Sequence, residues 1–383
     1  MRVAGTFSGI GGLEYPFEEL GHECVLMCDV WEPSQRVLET HFGGELIPDV
    51  AEVARRGLPS GTTVLTAGFP CTDLSQAGRT AGIKGAESSL VRHVFEILDR
   101  NPGLQWLALE NVRNMLVLDS GGAMRFLTRE LGDRGFRWAY RLVDSRFTGV
   151  PQRRQRVIMV ASREHDPREV LFADEAGDPG EAHLREDAFG FYWTEGLRGV
   201  GWARDAVPTL KGGSSLGIPS PPAIWFPAAP RGQRFGRPTI EHAEQLQGFP
   251  AGWTKPACTG RSNTPRWKLV GNAVTLGVGR WLVERLLRPG DLAVETIAAE
   301  VGSRWPLAGW GEGGQALQVD ASMWPLRAPY VHLTDIVPAA EAQPLSTRAA
   351  RGFLERAHRS TLRFADGFLD DLADHAIAVA DAA

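Results

Sequence analysis

Residues 1–160 alternate short apolar runs with segments of helical length, and this alternation constrains the fold more than any other feature of the chain. Strands that alternate with helices predict βα units. We therefore expect an α/β fold with a doubly wound, mostly parallel, Rossmann-like sheet. The expected strands are residues 2–7, 25–30, 62–67, 104–109, 138–143 and 156–161. The expected helices are residues 13–20, 33–42, 90–100 and 123–131.

The rest of the chain has a different organisation. Residues 163–236 are rich in Gly and Pro and have little helical periodicity, which predicts a small, loop-rich domain. Further helices are expected at residues 239–248, 277–287, 347–357 and 367–378. The expected parts of the chain are therefore residues 1–162, 163–236, 237–288 and 289–383. The last part carries no motif with a readable role.

The composition is that of a globular protein. Apolar residues make up 43% of the chain and charged residues 23%, which excludes a disordered or collagen-like chain. No apolar run is long enough to span a membrane, and residues 1–21 lack the continuous apolar stretch of a signal peptide. We therefore expect a cytoplasmic protein that does not bind membranes.

The formal net charge of −5 hides an asymmetry along the chain. Residues 137–163 contain seven arginines against one acid, and residues 206–280 contain nine Lys or Arg against two acids. Such clusters are typical of a surface that binds a polyanion. The alternative is solvated arginine in a chain whose 37 Arg and 4 Lys reflect a GC-rich coding sequence. Composition alone does not separate the two.

A glycine-rich turn, Phe7-Ser8-Gly9-Ile10-Gly11-Gly12, links the first expected strand to the first expected helix. Such a turn lets the backbone approach a nucleotide-like ligand, although a plain connection can have the same sequence. Asp29 ends the next strand, where a carboxylate can accept hydrogen bonds from ribose hydroxyls, and Asp49 lies within reach of an adenine amino group. Together these features indicate an adenosine-containing cofactor.

Cys71 follows Gly68-Phe69-Pro70 directly after a strand, at the sheet edge where open α/β folds bind their ligands. A thiol in this place is a candidate nucleophile, and residues 72–89 have the small, polar composition of a loop that closes over a substrate. The alternative is a free cysteine before an ordinary loop. Cys24 and Cys28 have metal-like spacing but no matching second Cys or His pair, so we expect reduced thiols and no metal.

Glu110-Asn111-Val112 follows a buried strand, so the Glu110 carboxyl group is expected at the same sheet edge as Cys71. Desolvated there, it could hold a proton and donate it. In an extended segment, Gln152, Arg154 and Arg156 would point to one side as a row of hydrogen-bond donors. A solvated arginine run is the alternative interpretation.

Taken in their order along the chain, the segments described above and two later ones resemble the motifs of the cytosine-C5 DNA methyltransferase family. The resemblance covers residues 1–287. It rests on eight short segments: Phe7-Ser8-Gly9-Ile10-Gly11-Gly12, Asp29, Asp49, Gly68-Phe69-Pro70-Cys71, Glu110-Asn111-Val112, residues 152–156, Leu246-Gln247-Gly248-Phe249-Pro250 and Gly271-Asn272-Ala273-Val274.

The resemblance implies S-adenosylmethionine as the cofactor and a cytosine flipped out of duplex DNA as the substrate. Cys71 would attack C6, Glu110 would protonate or hydrogen-bond N3, and Arg156 with Arg154 would hold the carbonyl oxygen. Residues 1–162 would form the catalytic domain, which residues 237–288 would complete. The implied cofactor-binding residues are Phe7, Gly9, Gly11, Asp29, Val30, Asp49, Val50, Pro70, Leu90, Asn272 and Val274.

Residues 163–236 occupy the place of the family's target-recognition region, and the later part of this range, residues 206–236, contains no acid and suits phosphate contact. The candidate DNA contacts are Ser75, Arg79, Lys84, Gln152, Lys211, Ser214, Ser215, Arg231, Arg234 and Arg237. The family implies a role in restriction-modification or phage defence. The expected partners are duplex DNA and a cognate restriction endonuclease or other defence-system proteins. We expect a monomer that associates with the nucleoid through DNA.

Three other functions compete with this one. An RNA cytosine-C5 methyltransferase is the nearest, because some relatives of the family act on transfer RNA, but the Arg- and Gly-rich recognition segment favours duplex DNA. A non-catalytic DNA-binding homologue would be expected to have lost one of the four catalytic residues. A nicotinamide-dependent dehydrogenase accounts for the glycine turn and Asp29 but not for Pro70-Cys71 or the arginine row.

Overall fold

The computed structural model describes residues 1–70, 90–195, 197, 199–212, 221–260, 262–300 and 304–378. The chain divides into two compact units, each built from segments that are distant in sequence. Unit 1 consists of Met1–Phe147, Gln155–Asp178 and Ala273–Arg327. Unit 2 consists of Thr148–Arg154, Pro179–Asn272 and Ala328–Ala383.

Unit 1 is built on a ten-stranded sheet. Its first strands in chain order are β1 (Arg2–Thr6), β2 (Glu23–Cys28), β3 (Glu45–Ile47), β4 (Val64–Ala67), β5 (Trp106–Val112) and β6 (Arg137–Asp144). The remaining strands are Gln155–Ser162, Thr296–Glu300, Ala308–Glu312 and Gln315–Val319. Strands β4 and β5 are buried along almost their whole length, which explains their continuous apolar sequences.

The order of strands places the parallel part of this sheet at one side. Strands β3, β2, β1, β4 and β5 are neighbours in that order, and all their pairings are parallel. The strand Gln155–Ser162 lies between β5 and β6 and is antiparallel to both. The sheet is therefore an α/β sheet of the expected Rossmann-like kind, with one antiparallel strand inserted beside its parallel half.

Helices connect the strands of unit 1. Their bounds are Tyr15–Glu19, Glu32–His41, Val50–Arg56, Leu90–Arg100, Gly122–Asp133, Arg168–Leu171 and Leu276–Leu287. The helix Leu90–Arg100 has the bounds expected from the sequence and buries Val91, Val94, Phe95, Ile97 and Leu98. This stripe recurs every three to four residues, as a helix packed on a sheet requires.

The segment that follows the helix Leu276–Leu287 extends the sheet. The strand Ala308–Glu312 pairs antiparallel with β6, and two more strands follow it outward. On β6, the fully buried Arg141 donates to the carbonyl oxygens of Leu171, Asp174 and Ser322 and pairs with Glu175 at 2.6 Å. The first part of the expected C-terminal extension is thus an integral layer of unit 1.

Unit 2 contains a five-stranded antiparallel sheet and a short two-stranded one. The larger sheet is formed, in spatial order, by Ala203–Arg204, Phe189–Phe191, Ala223–Trp225, Phe235–Arg237 and Gln343–Pro344. The smaller one pairs Gln152–Arg153 with Val207–Pro208. The helices of unit 2 are Ile240–Leu246, Thr264–Asn272, Leu333–Ile336, Thr347–His358 and Phe368–Ala378.

The last two helices complete the core of unit 2. Phe353 and Phe368 are fully buried and pack against Phe191, Phe235 and Trp225 of the five-stranded sheet. Aromatic side chains of this size supply much of the apolar area that a small core can bury. The tail is therefore part of the unit that contains most of the expected recognition region.

The observed units differ from the expected parts in four places. Residues 148–154 and 237–272 join unit 2, and residues 163–178 join unit 1. The expected C-terminal extension is divided at residue 327, so that each unit receives one piece of it. Within the part of the chain that the structure describes, no helix is both long enough and apolar enough to cross a membrane.

Candidate active site

The carboxyl ends of β2, β1, β4 and β5 lie side by side in the parallel half of the sheet. Strands β1, β2 and β4 are followed by Phe7–Gly12, Asp29 and Gly68–Pro70, whereas Glu110 and Asn111 are the third-last and second-last residues of β5 itself. Because parallel strands end at one edge, the topology brings the sequence motifs of unit 1 together, at the place where open α/β sheets bind ligands.

The glycine turn after β1 uses backbone conformations that favour glycine. Phe7, Gly9 and Gly11 have positive φ angles of 55°, 57° and 83°. A Cβ atom on Gly9 would meet no atom within 4 Å, so the face of Gly9 where a side chain would stand is open. A Cβ atom on Gly12 would lie 2.6 Å from the carbonyl oxygen of Val274, so the segment that contains Val274 packs directly against the turn. Val274 thus supports the turn, while its implied contact with the cofactor stays a prediction.

Asp29 holds the glycine turn and the start of the next helix in place. Its two carboxylate oxygens accept hydrogen bonds from the backbone N–H groups of Gly9 and Trp31, each at 2.9 Å. Ser34 donates from its hydroxyl to the carbonyl oxygen of Gly9. The neighbouring Val30 is 81% exposed, which is unusual for a large apolar side chain beside a buried strand. A fixed carboxylate therefore adjoins an open apolar surface.

The other cofactor candidates of unit 1 differ in exposure. Asp49 is exposed and caps the helix Val50–Arg56 by accepting from the N–H of Ala51 at 2.9 Å, while Val50 is buried. Pro70 is exposed at the end of its segment, and Leu90 is 37% exposed at the first position of its helix. All of them lie in unit 1.

Glu110 and Arg156 form an ion pair across two antiparallel strands. Arg156 lies opposite Val112 in the register, two residues beyond Glu110 on the same face. Its Nε lies 2.8 Å from Oε1 of Glu110, and the two side chains are only 12% and 10% exposed. A buried carboxylate needs such a partner, because desolvation of an unpaired charge is costly. The structure therefore fixes the Glu110 carboxyl group at the edge of β5.

Asn111 is a positioning residue that sequence reasoning passed over. Its side-chain amide is buried and donates to the carbonyl oxygen of Phe69 at 2.9 Å, and its Oδ1 accepts from the N–H of Val112. Phe69 in turn packs edge-on against Phe7, with 6.4 Å between ring centroids. Asn111 thus fixes the segment that leads into Cys71. The only sequence signal was its place beside Glu110.

Glu14 is a buried carboxyl group behind the glycine turn that the sequence did not single out. It accepts a hydrogen bond from the Thr66 hydroxyl at 2.6 Å, and a Cβ atom on Gly5 would clash with it. Burial raises the pKa of Glu14 from 4.5 to about 7, against the opposing effect of the Thr66 hydrogen bond. Because Gly5 on β1 has no side chain, the Glu14 carboxyl group has room to lie against this strand.

The described cysteines do not compete with Cys71 as nucleophiles in the parallel part of the sheet. Cys24 and Cys28 are buried on β2, and burial raises the pKa of both thiols, that of Cys28 to about 12. A thiol that stays protonated is a poor nucleophile. Cys71 itself lies outside the described residues, as do Ser75, Arg79, Lys84, Ser214 and Ser215.

Gln152 and Arg154 hold loops of unit 2 together. The amide of Gln152 donates to the carbonyl oxygen of Leu246 and accepts from the N–H of Leu210. Gln152 is 0% exposed and its amide is used within the unit, and its contact with DNA stays a prediction. Arg154 is also 0% exposed, and its guanidinium donates to the carbonyl oxygens of Leu210 at 3.1 Å and Gly271 at 3.2 Å. Its catalytic role stays a prediction.

Arg154 fixes a close crossing of two backbone segments in unit 2. A Cβ atom on Gly271 would lie 2.2 Å from the backbone of Gly212, and one on Gly212 would lie 2.6 Å from Oδ1 of Asn272. Only glycine allows backbones to approach so closely. The motif that contains the exposed Asn272 is therefore held against Lys211 and Gly212 of the expected recognition region.

The described DNA-contact candidates of unit 2 have partners of their own. Lys211 pairs with Glu195 at 2.5 Å and lies over the Tyr192 ring at 3.7 Å. Arg234 pairs with Asp371 of the last helix, and Arg231, which is 63% exposed, lies 3.8 Å from Asp374. Arg237 is partly buried, and this burial lowers its pKa. Lys211 and Arg231 keep the most exposed cationic groups of this set.

Known proteins with similar sequences are DNA methyltransferases. A family model described as C-5 cytosine-specific DNA methylase matches residues 1–186. The Type II methyltransferase M2.BsuMI of Bacillus subtilis (strain 168) is 42% identical over 385 residues, which cover 97% of this chain and 97% of that protein. The Type II methyltransferase M.DsaV of Dactylococcopsis salina is 26% identical over 325 residues, which cover 76% of this chain and 87% of that protein.

The fold is shared with a solved structure of low sequence identity. The crystal structure of the S. pombe Dnmt2 methyltransferase matches 75% of this chain and 98% of its own, with a TM-score of 0.56 and 16% identity. At this identity the likeness concerns the fold alone. On its sequence, which matches a Type II methyltransferase over nearly its whole length, the chain belongs to the family of C-5 cytosine-specific DNA methylases.

Proposed function

We propose that this member of the family transfers a methyl group from S-adenosylmethionine to C5 of a cytosine that is flipped out of duplex DNA. The observation that carries the proposal is the buried pair of Glu110 and Arg156, which lies at the carboxyl edge of the sheet beside the segment that ends in Pro70. Cys71 follows Pro70 directly in the chain. A nucleophile, an acid and a guanidinium are the groups that addition to a pyrimidine ring requires.

The residues around the glycine turn fit S-adenosylmethionine. The open face of Gly9 allows close approach of a ligand, and the Asp29 carboxylate, which the backbone N–H groups of Gly9 and Trp31 hold in place, is an acceptor suited to ribose hydroxyls. The exposed side chain of Val30 offers an apolar surface to the adenine ring, and Asp49 offers a carboxylate to its amino group. When bound, S-adenosylmethionine supplies an electrophilic methyl group.

Three side chains of this protein, Cys71, Glu110 and Arg156, would act on the cytosine ring. C6 of cytosine is a poor electrophile, so the thiolate of Cys71 can add there only if charge is withdrawn from the ring. Glu110 would hydrogen-bond or protonate N3, and Arg156 would stabilise the charge on the carbonyl oxygen. The addition makes C5 an enamine carbon that accepts the methyl group. Loss of the C5 proton to a base and elimination of Cys71 then restore the aromatic ring.

Arg154 takes a different part in this proposal from that of Arg156. Its guanidinium is fully buried and donates to two backbone carbonyl oxygens, Leu210 and Gly271. We therefore assign it a positioning role within unit 2, where it holds the Lys211-Gly212 segment against the end of the helix Thr264–Asn272. Arg156, which belongs to unit 1, pairs with the carboxylate of Glu110.

Duplex DNA is the proposed substrate because the similarity to a Type II methyltransferase extends over 97% of the chain. Unit 2 would bind the recognition sequence, with Lys211 and Arg231 among its phosphate contacts. We propose that the chain acts as the modification enzyme of a restriction-modification system, as a cytoplasmic monomer, with a cognate endonuclease as its functional partner.

Transfer of labelled methyl groups tests this proposal. Unmethylated duplex DNA and transfer RNA are incubated in parallel with the protein and labelled S-adenosylmethionine, and the modified positions are then sequenced. We expect label on C5 of cytosine within one short DNA sequence. Label on RNA alone would overturn the DNA assignment, and label on neither substrate would overturn the proposed activity.

A further inference from the structure

Unit 2 contains a second basic surface, on the tail helix Thr347–His358. A groove of about 760 Å³ runs between the first part of this helix and Trp193. Its lining includes Trp193, Arg348, Arg351, Gly352, Glu355 and Arg356. We call it the tail groove. It combines an aromatic ring, three guanidinium groups and a stretch of helix that Gly352 leaves without a side chain.

The charge of the tail groove is strongly positive and largely unbalanced. Residues 346–363 contain five arginines and one acid, Glu355. Arg348 and Arg351 are exposed, and no described residue forms a hydrogen bond or an ion pair with either of them. Glu355 lies 3.8 Å from Arg359, in a pair of which both members are about 70% exposed. Unpaired arginines side by side on one surface repel each other unless an anion binds them.

The tail groove is connected to a predicted DNA contact by direct bonds. Arg356 donates from its guanidinium to the carbonyl oxygens of Glu195 and Trp193, at 2.9 and 2.8 Å. The carboxylate of Glu195 in turn pairs with Lys211 at 2.5 Å. Arg356 thereby anchors the wall of the tail groove to the residue that holds Lys211. The groove and Lys211 belong to the same unit and share one short segment.

From these observations we propose that the tail groove binds the phosphodiester backbone of the DNA substrate outside the bases that are read. Arg348 and Arg351 contact consecutive phosphates, while Arg356 holds the Trp193–Glu195 wall in place. Guanidinium groups suit this role because they donate two parallel hydrogen bonds to a phosphate. The inference rests on the proposed function for the identity of the nucleic acid, and it assigns a binding task to the tail.

The charge pattern favours DNA over a protein partner. The exposed cations of this helix lie along one side of it, with Glu355 as the one acid among them. Protein interfaces also use Arg beside aromatic rings, but a row of exposed arginines with one acid needs regularly spaced negative charges opposite it, which a phosphodiester backbone supplies. Phosphate contacts are independent of sequence and depend strongly on salt, so the tail groove would add affinity without adding specificity.

Binding of the full chain to a long duplex of unrelated sequence, measured at several salt concentrations, tests this inference. The double variant Arg348→Gln/Arg351→Gln is compared with Arg348→Lys/Arg351→Lys, which keeps the charge. The matched control is Arg125→Gln/Arg129→Gln, which removes two arginines from the helix Gly122–Asp133 in unit 1. We expect the tail variant to bind about tenfold more weakly near physiological salt and to lower the slope of log K against log salt by about 1.8.

The outcomes separate this inference from the proposed function. The lysine variant should retain most of the salt slope, and the control variant should bind as the wild-type protein does. Equal losses in the tail and control variants would show that total charge matters, and an unchanged affinity in the tail variant would show that the groove is not used. Either result overturns the inference while methylation of DNA stands. If the wild-type protein binds transfer RNA but not DNA, both proposals fail.

Discussion

Arg156 meets Glu110 diagonally across two antiparallel strands, with 2.8 Å between Nε of the guanidinium and Oε1 of the carboxylate. Neither side chain is more than 12% exposed. The register of β5 against the strand Gln155–Ser162 therefore decides which charged groups stand at the sheet edge. A shift of one residue would move Arg156 to the opposite face and leave the carboxylate of Glu110 buried without its partner.

Replacement of Glu110 tests its role in the chemical step. In Glu110→Gln the amide keeps the size of the side chain but cannot donate a carboxylic proton to N3, so we expect kcat to fall about a thousandfold. Binding of S-adenosylmethionine, measured by calorimetry, should change less than about threefold, because Asp29, the proposed ribose ligand, follows β2, and β1 and β4 lie between β2 and the strand β5 that carries Glu110. A variant with normal kcat would remove Glu110 from the mechanism.

The hydrogen bond of Asn111 to Phe69 predicts a positioning effect on the nucleophile. Asn111→Ala leaves the Phe69 carbonyl oxygen without its donor, and we expect kcat to fall about tenfold with a loss of roughly 1–2 kcal/mol in the free energy of unfolding. Asn114→Ala, an exposed change in the following turn, is the control. The kcat of Asn111→Ala is also measured at lower temperature and in stabilising salt, where the variant is fully folded. If kcat stays low under these conditions, the loss reflects the position of the Phe69 segment rather than a loss of folded protein. Equal kcat in both variants would contradict the role of Asn111.

Glu14 predicts a pH dependence of stability with a definite sign. Its pKa is raised from 4.5 to about 7, so the folded chain binds the proton more tightly than the unfolded chain. The contribution of this group to the free energy of unfolding is therefore largest below pH 4.5 and falls as the pH rises towards 7, by about 3 kcal/mol in total. Glu14→Gln removes the titrating proton and keeps an acceptor for Thr66.

Denaturant unfolding at pH 5 and pH 8 measures this effect. The variant should be more stable than the wild-type protein at pH 8 and nearly equal to it at pH 5. A variant that is less stable at both values would mean that the folded chain favours the charged carboxylate of Glu14, which is the opposite of a raised pKa.

The buried aromatic cluster predicts that unit 2 needs its tail. Phe368 is fully buried and touches Phe191, Trp225 and Phe235 of the sheet. Phe368→Ala should cost about 3–5 kcal/mol in the free energy of unfolding. Ile377→Ala on the same helix, at a side chain that is 56% exposed, should cost less than about 0.5 kcal/mol. Similar small losses in both variants would show that the tail is dispensable for the core.

The first half of the chain was predictable because its elements carry strong local patterns. The apolar runs of β1, β4 and β5 mark buried parallel strands, and the glycine turn marks the first strand-to-helix connection. Once the strands are parallel and adjacent, the motifs after them must share one edge. The site residues of unit 1 follow from the order of the sequence.

The tail was not predictable in this way. The strand Ala308–Glu312 has the sequence Ala-Gly-Trp-Gly-Glu, which lacks β-branched residues, and it exists because it pairs with β6. Gln152 and Arg154 likewise looked like surface donors. Their burial depends on backbone carbonyl oxygens of Leu210, Leu246 and Gly271, which no local pattern brings together. The strand Ala308–Glu312 and the burial of Gln152 and Arg154 therefore both depend on contacts between residues that are distant in sequence.

A trapped covalent adduct tests the central claim most directly. Duplex DNA that contains the recognition sequence, with 5-fluorocytosine at the target position, is incubated with the protein and S-adenosylmethionine. Fluorine replaces the C5 proton that a base must remove and cannot itself leave as a cation, so the enzyme cannot eliminate its nucleophile. We predict a stable protein–DNA complex whose peptide map places the bond on Cys71 and which does not form in Cys71→Ala. A bond to another residue, or no bond in a protein that methylates ordinary DNA, would contradict the account.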